Sequence, residues 1–253
     1  MNRLNAFFIP IRHNLVALGI FLTGWYVTAL FFDSCTVPSP VDIIGEFGGY
    51  CDRKFLNNLG ITFLRITSGF LVAIVLGTLI GLSAHILKIS RHVETLMLII
   101  QVLPGTILGI IFLLIFGVGN MAPFMLIITL TTPLLAIHTS SSLMKQHGRL
   151  EKLIRSFSGG WKEIVRDLYL PSLVPTIRSN LTTGMVFSVK IALIGEFIAS
   201  DNGIGYLLNV SKIYFDMTAV FFYLFVVVFV VVVYQICVHT VFGLLFKKYL
   251  YPD

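Results

Sequence analysis

Charge is scarce in this chain. Asp, Glu, Lys and Arg make up 12% of its 253 residues, where a soluble domain carries about 25%. Hydrophobic residues supply 57%, and the mean hydropathy is +0.92. A water-soluble protein of this size could not hide so much apolar side chain, because its surface does not shrink fast enough with size. Lipid must therefore be the solvent for most of the chain. Cysteine is scarce too: Cys35, Cys51 and Cys237 form no CxxC and no Cys/His cluster, which excludes a thiolate metal site. Cys35 and Cys51 fall in one loop and are either bridged or free; Cys237 lies in an apolar run and reads as packing. The six histidines, His13, His85, His92, His138, His147 and His239, show no HExxH and no ligand spacing. A GxxxxGK[ST] phosphate loop is missing, as is any catalytic signature. The expectation is a non-enzyme with no metal and no cofactor of its own.

What is present is a series of six apolar runs: 15–32, 59–87, 96–118, 121–139, 173–199 and 219–246. A spanning helix needs about 20 apolar residues. Backbone that must satisfy itself in lipid leaves helix as the only solution outside a closed barrel, even for the Val-rich stretch Val226 to Val233. The fold class expected is all-α integral membrane with about six transmembrane helices, residues 1–253 forming one membrane domain. Arg3 and Arg12 precede the first run, but no small-x-small cleavage site follows it, so it reads as a retained helix.

The formal net charge of +6 invites a polyanion partner, yet the basic residues cluster in a few loops. Arg3, Arg12, Lys88, Arg91, Lys145, Arg149, Lys152, Arg155, Lys162, Arg166, Lys247 and Lys248 share one side of a six-span arrangement. The opposite side holds Asp33, Asp42, Glu46, Asp52, Asp201 and Asp216, with fewer cations. The positive-inside rule makes the first side cytoplasmic, with both termini inside. No nucleic acid need be invoked. Gly69, Ala73, Gly77 and Gly81, spaced by four, form a small-residue stripe on the second run, and Gly105 and Gly109 repeat it on the third. Such stripes let membrane helices approach closely.

The connection 140–171 is too long and too polar to be a plain link. Leu150, Leu153, Ile154 and Phe157 recur at helical spacing, Ser158-Gly159-Gly160 breaks the pattern, and Trp161 to Tyr169 can restart it before Leu170-Pro171. The reading is a short amphipathic helix, a break and a second helix, exposed to the cytoplasm and suited to a partner's groove, or else lying in the lipid interface.

That loop resembles the one in permease subunits of bacterial binding-protein-dependent ABC importers: Glu-Ala-Ala, three residues, Gly, nine residues, an aliphatic, one residue, Leu-Pro. Counting back from Leu170-Pro171 puts Leu168 at the aliphatic position, Ser158 at the glycine and Lys152-Leu153-Ile154 at the head. The Leu-Pro end fits; the head is replaced, and glycine comes one and two residues late. Val37-Pro38-Ser39-Pro40, Leu64-Arg65 with Gly69-Phe70, and Gly195-Glu196-Phe197 followed by Gly203-Ile204-Gly205-Tyr206 are similar to further motifs of the nitrate/sulfonate/taurine branch.

The resemblance implies a type I importer permease fold in the bacterial inner membrane. It implies a coupling helix whose contacts include Glu151, Leu153, Ile154, Phe157, Ser158, Gly159, Gly160, Trp161, Leu170 and Pro171. It also implies a second permease copy, two separate ATPase subunits that hold the ATP and Mg, and an extracytoplasmic binding protein. The cargo implied is a small anion such as nitrate, bicarbonate, a sulfonate or taurine, with a thiamine-pyrimidine-like metabolite as the alternative. A rival reading is a secondary transporter driven by an ion gradient; against it, no inverted repeat or pair of broken short helices is visible.

Ionisable residues at membrane depth are costly and usually functional. Lys190 and Glu196 are the candidates for the substrate path, Lys190 because an inward ammonium would meet an anion. Glu196 is six residues on, about 9 Å along a helix, on a different face; it reads as helix-end or gate structure. Arg65 reads as an interfacial anchor.

Overall fold

A computed structural model of the chain describes residues 16, 18–156, 160 and 168–245, with side chains left undescribed at 145–156, 170, 172, 239 and 242–245. The described residues are helical, with no strand among them. In chain order the helices are α1 (Leu18–Ala29), α2 (Pro40–Tyr50), α3 (Arg53–Ile86), α4 (Ser90–Val102), α5 (Gly105–Phe116), α6 (Met121–Ser156), α7 (Leu170–Ala199), α8 (Ile204–Ile213) and α9 (Met217–Leu245). Four of them, α3, α6, α7 and α9, are long and apolar enough to cross a membrane alone, and α4 with α5 forms an apolar pair bent by 80°, the shape of a broken span or of a re-entrant loop. α1 is a shorter apolar helix.

Local chemistry sets the helix ends. Ser39 and Asp42 form a reciprocal capping box at α2: the Ser39 hydroxyl accepts from the Asp42 N–H, and the Asp42 carboxylate accepts from the Ser39 N–H at 2.9 Å. Those bonds hold the Asp42 carboxyl below its ordinary pKa, the backbone N–H first and the hydroxyl second. Asp52 caps α3 by accepting from the Phe55 N–H at 2.7 Å. The third apolar run, expected as one span, is instead broken at Leu103-Pro104. A residue before proline is driven to extended backbone, and Leu103 sits at φ −65°, ψ 123°.

A second departure concerns the connection after the fourth run. No helix break occurs at Ser140; α6 continues as one helix to Ser156, although the stretch apolar enough to span ends at Met144. The run Ser140-Ser141-Ser142 reads as loop polarity, but Ser140 is fully buried and the other two hydroxyls meet neighbouring helices. Ser141 donates to Glu94 at 2.9 Å, and Ser142 lies 2.7 Å from the Thr176 hydroxyl.

The core sits where α3, α6 and α7 meet, around Phe70, Leu126, Ile127, Leu135 and Ala192. The small-residue stripe of α3 is what brings α6 so near. A Cβ placed on Gly77 would lie 2.6 Å from the Leu135 Cβ and 2.9 Å from the Thr132 carbonyl. On Gly81 it would lie 2.6 Å from the Ala136 carbonyl. Backbone cannot yield as a side-chain tip can, so Gly77→Ala is expected to destabilise by about 1–3 kcal/mol through overpacking. Gly60→Ala, with nothing within 4 Å of the added carbon, is the matched control. Thermal melts of the two purified variants should separate by several degrees; equal melts would show that the two helices do not pack this way.

At the end of the bundle where α3 and α9 begin, an aromatic cluster ties α2, α3 and α9 together. Phe222 is fully buried, with ring centroids of Phe47, Tyr50, Phe55 and Tyr223 all 5.3–5.5 Å away. The Tyr50 hydroxyl donates to Asp216 at 3.0 Å and to Glu46 at 3.1 Å. Burial, and then the two carboxylates, push its pKa upward, so it stays protonated.

Candidate functional site

Three features of the α7 helix converge on function. The first is at its C-terminal end, where Glu196 is fully buried in the last turn. Its carboxylate accepts from the Thr62 hydroxyl at 2.8 Å, from the Gly205 N–H at 2.9 Å and from the Arg65 guanidinium at 2.9 Å. Arg65 is itself only 5% exposed. Its remaining donors go to the Asn120 side chain, the Asn202 side chain and the Asn202 carbonyl, the last at 3.0 Å. The Thr62 hydroxyl also accepts from the Ile204 N–H at 2.8 Å, and the Asn58 side-chain oxygen accepts from the Gly203 N–H. This is the one ion pair among the described residues, and every member is satisfied, which a buried charge requires.

The glycines of the Gly203-Ile204-Gly205 turn are there for this carboxylate. Gly203 has φ +100°, and a Cβ on it would collide with the Glu196 carboxyl group; one on Gly205 would lie 2.6 Å from the Glu196 Cβ. Only bare backbone can wrap so closely. The clamp therefore fixes α3, the α5–α6 turn, the end of α7 and the start of α8 to each other. Arg65 as an interfacial anchor is thus corrected: it is buried in this lattice. The signal was available, since Asn58, Thr62 and Arg65 extend the face of Gly69, Ala73, Gly77 and Gly81 by the same three-and-four spacing. Glu196 stands where a helix-end element was expected.

The second feature is the exposed face of α7. Ser179, Thr183 and Lys190 all lie on it. α3 exposes mainly apolar side chains through its middle, Phe63, Leu64, Leu71, Val75 and Leu79 among them, with Ser68 and Ser83 the exposed hydroxyls between its ends. Lys190 lies about 13 Å along the helix from Ala199, well inside the span. It makes no hydrogen bond or ion pair among the described residues, and it lines a groove of about 680 Å³ between α7 and α9. Lys190 and Glu196 are not brought together.

The third feature is a row of polar rungs between α6 and α7. Thr131 faces Ser188 at 3.2 Å, Asn180 donates to Thr139 at 3.0 Å, and Ser142 meets Thr176 at 2.7 Å. Thr139, Asn180 and Ser188 are fully buried. Of the expected motor contacts, the side chains of Glu151, Leu153 and Ile154, and all of Phe157, Ser158, Gly159 and Trp161, lie outside the described residues. Gly160 is exposed coil, Leu170 begins α7 and Pro171 is half-buried in its first turn. Cys35 and Cys51 are free thiols, the first exposed and the second half-buried.

Long apolar helices packed by a small-residue stripe, with a buried ion pair at one end and a polar helix face through the span, define a polytopic membrane permease. The chain belongs to the family of binding-protein-dependent transport system inner membrane components, whose profile matches residues 73–251. It is 26% identical over 191 residues to a formylaminopyrimidine transport permease of Halalkalibacterium halodurans, covering 75% of this chain and 76% of that one. It is 25% identical over 215 residues to a putative aliphatic sulfonates transport permease of Bacillus subtilis, covering 82% of this chain and 76% of the relative. Among solved structures it is similar to a chain of the MetNI methionine ABC transporter, with a TM-score of 0.64 at 18% identity, covering 74% of this chain and 94% of that one. The fold is that of a type I ABC importer permease, a multi-pass inner-membrane transport subunit and not an enzyme.

Proposed function

We propose that this chain pairs with a second copy of itself to form the membrane path of an ATP-driven importer for a small anion such as nitrate, bicarbonate, a sulfonate or taurine. A binding protein delivers the solute from outside. Two separate ATPase subunits dock on the cytoplasmic connection 140–171 and hold the ATP and Mg. Both termini are cytoplasmic. The observation that carries this reading is the α7 face: Ser179, Thr183 and Lys190 lie exposed along one side of the span, and Lys190 has no polar partner among the described residues. An unpaired ammonium at that depth is tolerated where it lines a water-filled cavity. A two-fold axis beside α7 would give it one.

The mechanism follows from what α7 touches. It starts at Leu170-Pro171, at the end of the docking connection, and the rungs to α6 make the two helices one body. Closure of the ATPases would push on that connection and shift both helices together, a rigid-body switch of the path from inward-open to outward-open. The clamp at Glu196 holds the far end of α7 to α3. The second reading, a neutral pyrimidine-like metabolite, draws support from the formylaminopyrimidine relative.

The test is uptake by the complete importer, reconstituted with its ATPase and binding protein. Lys190→Gln is expected to cut uptake about tenfold or more, the loss of one charge-assisted contact, while Lys190→Arg retains most of it. Full uptake by Lys190→Gln, with the subunits still assembled, would leave Lys190 outside the path and favour the neutral cargo.

A further inference from the structure

Lys190 does not stand alone in its groove. The same cavity of about 680 Å³ is lined by Thr106 at the start of α5 and by Gln235 on α9. Three helices thus each send one polar side chain into one chamber. Gln235 is as unexpected as Lys190. It follows the run Val226 to Val233, in a helix that is otherwise almost wholly aliphatic and aromatic, and burying an amide without a partner costs a few kcal/mol. Gln235 makes no hydrogen bond among the described residues. Two costly polar groups on different helices, both opening on the same space, mark that space as wet and as a place where something polar binds.

The rest of the wall is apolar, with Val189, Leu193, Val227, Val228 and Val231 among its residues. No carboxylate lines it. One cation with no counter-charge calls for a single negative charge. A wall of valines and leucines offers nothing to the water shell of an inorganic anion, but it suits a hydrocarbon body. We propose that Lys190, Thr106 and Gln235 are the polar end of a solute site, and that the solute is an organic monoanion with a compact apolar body. The ammonium meets the charge, and the Thr106 hydroxyl and Gln235 amide donate hydrogen bonds to its oxygens. This rests on the transport reading above and narrows its cargo from anions in general to those with an apolar part.

The test uses the complete importer in vesicles, with Cys35, Cys51 and Cys237 replaced by serine and Gln235→Cys introduced. Reaction of the new thiol is timed with two water-soluble methanethiosulfonates, one carrying a sulfonate and one a trimethylammonium. A nearby fixed cation attracts the anionic reagent and repels the cationic one, so the ratio of the two rates should exceed about tenfold, and Lys190→Gln should abolish that preference. Butanesulfonate, which stays ionised at every working pH, should slow the labelling, and nitrate at the same concentration should not. Equal rates for the two reagents, no reaction with either, or equal protection by nitrate would each overturn the proposal. Val231→Cys, in the same groove, serves if Gln235→Cys does not assemble. The same labelling with and without ATP tells the two readings apart. A rate that changes on hydrolysis keeps the transport path even if charge preference is absent, and a rate indifferent to ATP sinks the path itself.

Discussion

Arg65→Leu should cost about 3–5 kcal/mol, because it strands the buried Glu196 carboxylate without its cation. Glu196 is fully buried and receives the guanidinium at 2.9 Å. Losing that cation also leaves the Asn120 and Asn202 side chains without their donor. Glu196→Leu strands the guanidinium instead, and should cost a similar amount. At this chain length such losses lower a melting temperature by roughly 10 °C. The informative variant is the double one. Arg65→Met with Glu196→Leu removes both charges and fills the space with apolar side chains, so its cost should fall well below the sum of the single costs. It will not return to the parent value, because the Gly205 N–H and the two asparagines remain unpartnered. The measurement is a thermal melt of the four purified proteins in detergent. Two singles that melt like the parent, or a double whose loss equals the sum, would show that the pair is not the coupled lattice described.

Much of this architecture is legible in the sequence, for physical reasons that also mark where legibility ends. Lipid leaves the backbone no option but helix, so each apolar run predicts its own secondary structure. The stripe from Gly69 to Gly81 is legible because a missing Cβ has few uses inside a membrane other than close packing, and the Gly77 and Gly81 contacts on α6 bear that out. Arg65 is not legible in the same way. A charge near the end of an apolar run looks the same whether it reaches for headgroups or turns inward, and only its register with Thr62 and the stripe separates the two. Pro104 is an ambiguous sign, since a membrane helix tolerates proline when its neighbours satisfy the freed backbone; α6 does so at Pro133, whereas at Pro104 the chain bends by 80°. The serines at 140–142 mislead because polarity inside a helix bundle and polarity at a membrane exit are written with the same residues.

Those serines bear on how force from the cytoplasm reaches the path. Had the helix ended at Ser140, the segment proposed to dock the motor would be a separate piece, joined to the bundle by a hinge. Instead α6 is one helix from Met121 to Ser156, and it is pinned to α7 by the rungs at Thr131, Thr139 and Ser142. The apolar repeat Leu150, Leu153, Ile154 and Phe157 therefore falls, in sequence, over the last turns of that unbroken helix and the residue after it. Phe157 is the large aromatic at that end, the kind of anchor that carries at least about 2 kcal/mol of an interface. Phe157→Asp both removes the anchor and brings a charge to an apolar groove. Motor binding is therefore expected to weaken by about 30-fold or more, and uptake to fall with it. Helix packing and the clamp at Glu196 lie elsewhere on the chain, so the permease itself should still melt normally. Affinity of the isolated ATPase for the reconstituted permease, measured beside uptake, separates lost docking from lost path. Normal uptake with the ATPase still bound would mean that this segment is not the handle, and that the long helix ending at Ser156 serves some purpose other than carrying the motor's stroke.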